Sequence, residues 1–225
     1  MRKVSPLQVK QALEAAMLSL GKPRRIRLDN GYPFANSVEK SLPTDLVLWL
    51  ISIGIEVIFN DVRSPQQNGS VECTQRISSY WANPSKCANA QALQISLDQV
   101  AYEHLYVMRQ RSKKDMTRAD QFPELTCKRE VFDPLNINPQ EAKDYLAKFR
   151  WTRQVFDNGR VSIFGKKIVV GKAYAKLTVR IHYDQYSEQW VLCLNNAKEI
   201  IHKQGPSIAF QTLQNLTVFS KNFTT

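Results

Sequence analysis

A change in hydrophobic periodicity near residue 150 constrains the fold of this chain more than any other feature. Before it, apolar residues recur at three- and four-residue spacing or in short continuous runs, the marks of helices and buried strands. After it they alternate with polar neighbours, the mark of half-buried strands. Residues 6–20 place Leu7, Val9, Ala12, Leu13, Ala16, Met17 and Leu20 at helical spacing, and Gly21 and Pro23 end the run. Arg24 to Leu28 reads as a short strand that meets the turn Asp29-Asn30-Gly31. Pro43 and Thr44 open a helix through Ile53, and Ile55 to Phe59 is an apolar, β-rich run. Ser64 to Gly69 is a loop by composition; helix formers resume at Ser70, and residues 89–111 carry Leu93, Leu97, Val100, Ala101, His104, Leu105 and Met108 along one helical face. This order of elements predicts an α/β fold.

The character changes after Asp133-Pro134 and Asn138-Pro139, with a short helical piece from Glu141 to Phe149. Beyond it, Val155, Val161 and Ile163, Ile168 and Val170, Leu177 to Tyr183, and Trp190 to Leu194 follow period two between tight turns. Short strands at this density predict an all-β part, a small antiparallel barrel. The last twenty residues read as a loosely attached tail.

Charge narrows the partners. The 225 residues hold 31 Lys and Arg against 20 Asp and Glu, a formal charge of +11. Ten of the cations against four acids fall between Arg150 and Lys203. Clustered cations gain free energy by displacing counterions from a phosphate backbone, so Arg150, Arg153, Arg160, Lys166, Lys167, Lys172, Lys176 and Arg180 are the candidate nucleic-acid contacts. Phe164, Tyr174, Tyr183 and Trp190 sit among them; they could stack on bases, but at alternating positions they read as core.

Cys73, Cys87, Cys127 and Cys193 are widely spaced with no C-x-x-C pair, which argues against a zinc site and a disulfide framework. His104, His182 and His202 share no ligand spacing, and His104, on an apolar helical face, reads as a core histidine. No Gly-rich phosphate loop and no G-x-S-x-G elbow appears, which removes nucleotide hydrolases and covalent hydrolases. Leu46 to Ile55 is about half the roughly 20 residues that cross a bilayer, and no hydrophobic signal core follows Met1. The expected setting is the cytoplasm, next to nucleoid DNA.

Phosphodiester chemistry on DNA commonly uses two divalent metals held by carboxylates. Asp29 at a strand end and Glu72 at a helix start have the right donor type in positions a substrate can reach. The strings around them are more specific. Pro23 to Gly31 (PRRIRLDNG) and Ser64 to Glu72 (SPQQNGSVE) resemble the second and third carboxylate motifs of the integrase catalytic core, found in DDE-type insertion-sequence transposases and retroviral-type integrases. The resemblance implies a partial ribonuclease-H-like core over 1–125, a linker with a short helix over 126–149, a small DNA-binding β-barrel over 150–204 and a tail over 205–225.

It further implies that Asp29 and Glu72 ligate Mg²⁺ or Mn²⁺. Asn30 and Gly31 would form one active-site turn, Asn68 and Gly69 another that aims Glu72, and Arg76 would meet phosphate. Cys73 stands where such proteins usually carry a basic residue. The 42 residues between Asp29 and Glu72 exceed the retroviral spacing, and the surplus is expected in the loop from Phe34 to Leu42. No Asp precedes Asp29, and Glu14 is the one acid before it. The expectation is therefore a core lacking its first strands, its first carboxylate and the usual helix-turn-helix, with an exposed strand edge near Arg24 to Leu28. Transposition and DNA integration would then need a complementing upstream chain or a homo-oligomer. The alternative is a non-catalytic module that binds duplex DNA.

Overall fold

The computed structural model describes residues 4–35, 42–61, 64–110, 115–127, 130–163, 166–194 and 200–204. Most of the expected surplus loop and the whole expected tail lie outside these residues. The chain divides into two compact units, Met1–Val62 with Glu130–Thr225, and Arg63–Arg129.

Helix α1 (Pro6–Leu20) starts where local chemistry favours a start. The Ser5 hydroxyl accepts from the Gln8 amide, and the Gln8 side chain accepts from the Ser5 amide. Strand β1 (Arg25–Leu28) leads to helix α2 (Asp45–Ser52), capped by Thr44, and then to strand β2 (Glu56–Phe59). β1 and β2 pair in parallel, with Leu28 opposite Phe59. All residues of α2 from Leu46 to Ser52 are buried, so this helix is the centre of its unit rather than a surface element. Among the described residues β2 is the one strand that pairs with β1.

The second unit opens with a 3₁₀ turn (Pro65–Asn68) where a loop is expected, followed by helix α3 (Gly69–Ala82) and helix α4 (Ala90–Tyr102). The helix expected to reach residue 111 stops at Tyr102. A π turn (Glu103–Val107) follows, closed by the Met108 amide donating to the Glu103 carbonyl, and the chain enters strand β3 (Arg109–Gln110), which pairs with β4 (Met116–Thr117) before helix α5 (Arg118–Gln121). The unit has a thin interior, with Ala82, Val100, His104 and Thr117 its buried residues among those described.

Returning to the first unit, helix α6 (Pro139–Lys148) is tied to α2 by the Asn138 amide donating to the Ser52 carbonyl at 2.7 Å. Ala142 and Leu146 are fully buried and join the same core as α2. Six antiparallel strands follow: β5 (Trp151–Gln154), β6 (Arg160–Ile163), β7 (Lys166–Val169), β8 (Thr178–Asp184), β9 (Gln189–Leu194) and β10 (Ile200–Gln204).

The antiparallel character matches the alternating pattern, but no closed barrel is present among the described residues. The strands make a four-stranded sheet in the order β10-β9-β8-β5 and a separate hairpin, β6-β7. β8 lies between β5 and β9, and among the described residues the strands of the hairpin pair only with each other. Val179, Ile181 and Tyr183 of β8 face the core with Leu192 and Trp190 of β9. Tyr183 and Trp190 are buried and Tyr174 packs against the core, while Phe164 lies outside the described residues.

Candidate functional site

Asp29 is the first residue after β1, and Asn60 and Asp61 are the first after the parallel strand β2. The carboxyl ends of neighbouring parallel strands are where α/β folds place ligands, because the loops there diverge and leave a crevice. Two bonds shape this edge. The Asn30 side chain donates to the Asn60 carbonyl at 2.8 Å, locking the two strand ends together, and the Gly31 amide donates to Asp29 Oδ1 at 3.1 Å. A Cβ on Gly31 would sit 3.3 Å from Asp29 Oδ2, so the absent side chain lets the carboxylate fold back over the turn. Asp29 is exposed.

Glu72 belongs to the other unit, in the first turn of α3, where the exposed amide ends favour a negative charge. Gly69 adopts ordinary right-handed helical angles as the first residue of α3, with open space where a Cβ would stand, so no left-handed turn is built there. Asn68 ends the 3₁₀ turn and its side chain does not cap the helix. Arg76 is exposed one turn beyond Glu72, its guanidinium 4.0 Å from Cys73 Sγ. The structure thus gathers Asp29, Asn30 and Gly31 in one unit, and Asn68, Gly69, Glu72 and Arg76 in the other.

The candidate cations are not one surface. Arg153 lies opposite Val179 in the β5–β8 pair, on the face of the sheet that carries the core; burial pushes its guanidinium down from its usual pKa, and its Nη1 donates to the Thr152 carbonyl. Arg150 donates to the Ala147 and Phe149 carbonyls at the end of α6. Arg180 is half-buried on the opposite face of β8, beside His182, whose pKa is lowered first by burial and then by Arg150. Arg160, Lys167, Lys172 and Lys176 are exposed, and the Lys166 side chain lies outside the described residues.

Lys167 and Lys176 do come together. They line an open cleft of about 560 Å³ with Gln154, Val155, Phe156, Asp157 and Asn158. Buried Val155 belongs to the unit's core, while Phe156 is 51% exposed. The turn that carries Phe156 is fixed by the Phe156 amide on the Arg160 carbonyl and the Gly159 amide on the Phe156 carbonyl. Gly159 has φ +71, and a Cβ there would fall 2.5 Å from the Gly171 carbonyl carbon; the backbone segments meet because Gly159 has no side chain. Sequence reasoning passed over Phe156, whose one available signal was an aromatic residue directly before Asp157-Asn158-Gly159.

No family model matches the chain, and no curated protein matches it. Asp29 and Glu72 each offer exposed carboxylate oxygens, the donors that hard divalent cations take. Among the described residues no group of three or more His, Cys, Asp or Glu gathers to form a metal-binding cluster, so the fit to Mg²⁺ or Mn²⁺ is one of donor type at each position. No helix among the described residues is long and apolar enough to cross a membrane.

Proposed function

We propose that this protein is related to DDE-type transposases and integrases and acts on DNA, with Asp29 and Glu72 as carboxylate ligands for divalent metal. The observation that carries this reading is the placement of each motif on the element it requires. Asp29 follows β1 at the carboxyl end of a parallel β-α-β unit, and Glu72 stands in the first turn of α3. Mg²⁺ or Mn²⁺ bound by such carboxylates supplies Lewis-acid stabilisation of phosphodiester oxygens. The chain's own part is to hold the Asp29 carboxylate through the Gly31 amide, fix the strand ends through Asn30, and bring basic residues to the DNA backbone.

Metal ligation is tested by Mn²⁺ titration followed by its electron paramagnetic resonance signal. Asp29→Asn and Glu72→Gln are each expected to weaken Mn²⁺ binding; equal affinity in both variants and the wild type would overturn the metal assignment. DNA binding is tested separately with a fluorescent duplex over a range of salt, where affinity is expected to fall steeply as salt rises.

One observation favours a second reading, a non-catalytic DNA-binding module. The exposed cations Arg160, Lys167, Lys172 and Lys176 lie on or beside the β6-β7 hairpin, in the unit that does not contain Glu72. Duplex binding that is steep in salt and indifferent to Mn²⁺ and to both carboxylate variants selects it.

A further inference from the structure

The cleft beside the β6-β7 hairpin combines features that a lysine patch lacks. Two lysines and an aromatic ring that folding leaves half in water line it together, the ring carried on a hydrogen-bonded turn. Phe156 stands on a turn where the Gly159 and Gly171 backbones meet, and about half of it stays exposed in the same cleft as the side chains that attract phosphate. Gln154 and Asn158 add amide groups, and Asp157 is the one acid in the lining among the described residues, its Oδ1 3.9 Å from Lys176 Nζ. The volume of about 560 Å³ falls within the roughly 300–1,000 Å³ range of small-ligand sites.

We propose that this cleft holds one unpaired nucleotide of single-stranded DNA, its base stacked on Phe156 and its phosphate held by Lys167 and Lys176, with Gln154, Asp157 and Asn158 meeting the base edge. This rests on the DNA-binding reading above and adds to it a strand-state preference. A base inside a duplex is already stacked on both faces, so it has no face to offer Phe156, whereas an unpaired base does. The lysines serve both forms of DNA, because each form presents a charged backbone. A carboxylate in the lining fits a base edge rather than a second phosphate, since exocyclic amines of bases donate to Asp and phosphates do not.

The test is fluorescence anisotropy of the full chain with a single-stranded oligonucleotide and with a blunt duplex of the same length. Wild type is compared with Phe156→Ala, Phe156→Trp, and Lys167→Gln with Lys176→Gln. Phe156→Ala is expected to weaken single-strand binding by about tenfold, as loss of a stacking partner does, and to leave duplex binding within about twofold. Phe156→Trp is expected to restore the single-strand affinity, a rescue that a purely structural role for Phe156 would not produce. The lysine pair is expected to weaken both and flatten the salt dependence. Single-strand binding unchanged by Phe156→Ala, with wild-type DNA binding intact, overturns the cleft assignment and leaves the DNA-binding reading standing. No binding of either DNA by the wild type at low salt overturns the DNA-binding reading itself.

Discussion

Arg118 Nη1 lies 2.7 Å from His104 Nδ1 and joins α5 to the π turn that ends α4. An arginine only donates, so Nδ1 accepts and the imidazole is neutral with its proton on Nε2. That nitrogen is buried, with no hydrogen-bond partner among the described residues. Burial first, and Arg118 second, lower the His104 pKa from 6.5, against a smaller upward pull from Glu103.

A pH dependence follows, with a definite sign. Because the folded state resists protonation of His104, the unfolded chain takes up the proton first as pH falls below 6.5. Stability is complete above that value and declines below it until the folded pKa is passed. Protonation also turns an acceptor facing Arg118 into a second cation. Amide hydrogen exchange over 103–107 and 116–121 is expected to speed up between about pH 7.5 and about pH 5.5, after correction for intrinsic rates. His104→Gln, which keeps an acceptor and loses the titration, is expected to remove that difference; an equal acceleration in this variant would refute the assignment.

The Lys10 and Glu14 side chains form an ion pair at 2.9 Å and are 4% and 8% exposed, and Lys10 Nζ lies 5.1 Å from the centre of the Trp49 ring. Truncating one partner strands the other in a dry environment, so Lys10→Met is expected to cost about 3–5 kcal/mol. Replacing both, Lys10→Met with Glu14→Leu, is expected to recover most of that loss, because no isolated charge then stays buried. Urea unfolding of the two variants checks the order; a double variant no more stable than the single one would contradict it.

These features differ in how far the sequence reveals them. The spacing of Leu13 and Met17 and the stop at Gly21 mark α1 in the sequence, since periodicity and helix stops are local properties, while the Ser5 to Gln8 box comes from the structure. Asp29 was legible because a β-rich run ending in Asp-Asn-Gly places a strand end without knowledge of the rest of the fold. The π turn was not, because 104 and 108 keep helical spacing and the departure accompanies a bond from Arg118, fourteen residues away. The barrel was expected from alternation, which specifies strands but not their partners; β8 found β5 and β9, and the hairpin was left to itself. The cleft draws on Gln154 to Asn158, Lys167 and Lys176, and no linear pattern joins those segments.

Gly159→Ala tests how tightly the cleft is built. The substitution forces a side chain into a backbone at φ +71 and to within 2.5 Å of the Gly171 carbonyl carbon. The left-handed conformation and the overpacking together are expected to cost roughly 2–5 kcal/mol. The midpoint of thermal unfolding should fall accordingly. Gly69→Ala, where nothing lies within 4 Å and the backbone is already helical, is the control and is expected to be neutral or slightly stabilising. Equal midpoints for the two variants would contradict the close approach.

Asn30 joins two strand ends through a single side-chain bond. Its side-chain amide donates to the Asn60 carbonyl and holds the ends of β1 and β2 in register. Asn30→Ala removes the donor and is expected to cost about 1 kcal/mol. Asn30→Asp is isosteric but brings a carboxylate to a carbonyl oxygen, next in sequence to Asp29, so two acceptors meet with no proton between them. Asp is therefore expected to be worse than Ala here, and the difference should shrink as pH falls toward the carboxylate range and the new side chain regains a proton to donate. Thermal unfolding of both variants at about pH 7 and about pH 4 reads this directly. A reversed order at neutral pH would mean that the Asn30 bond does not hold the strand ends.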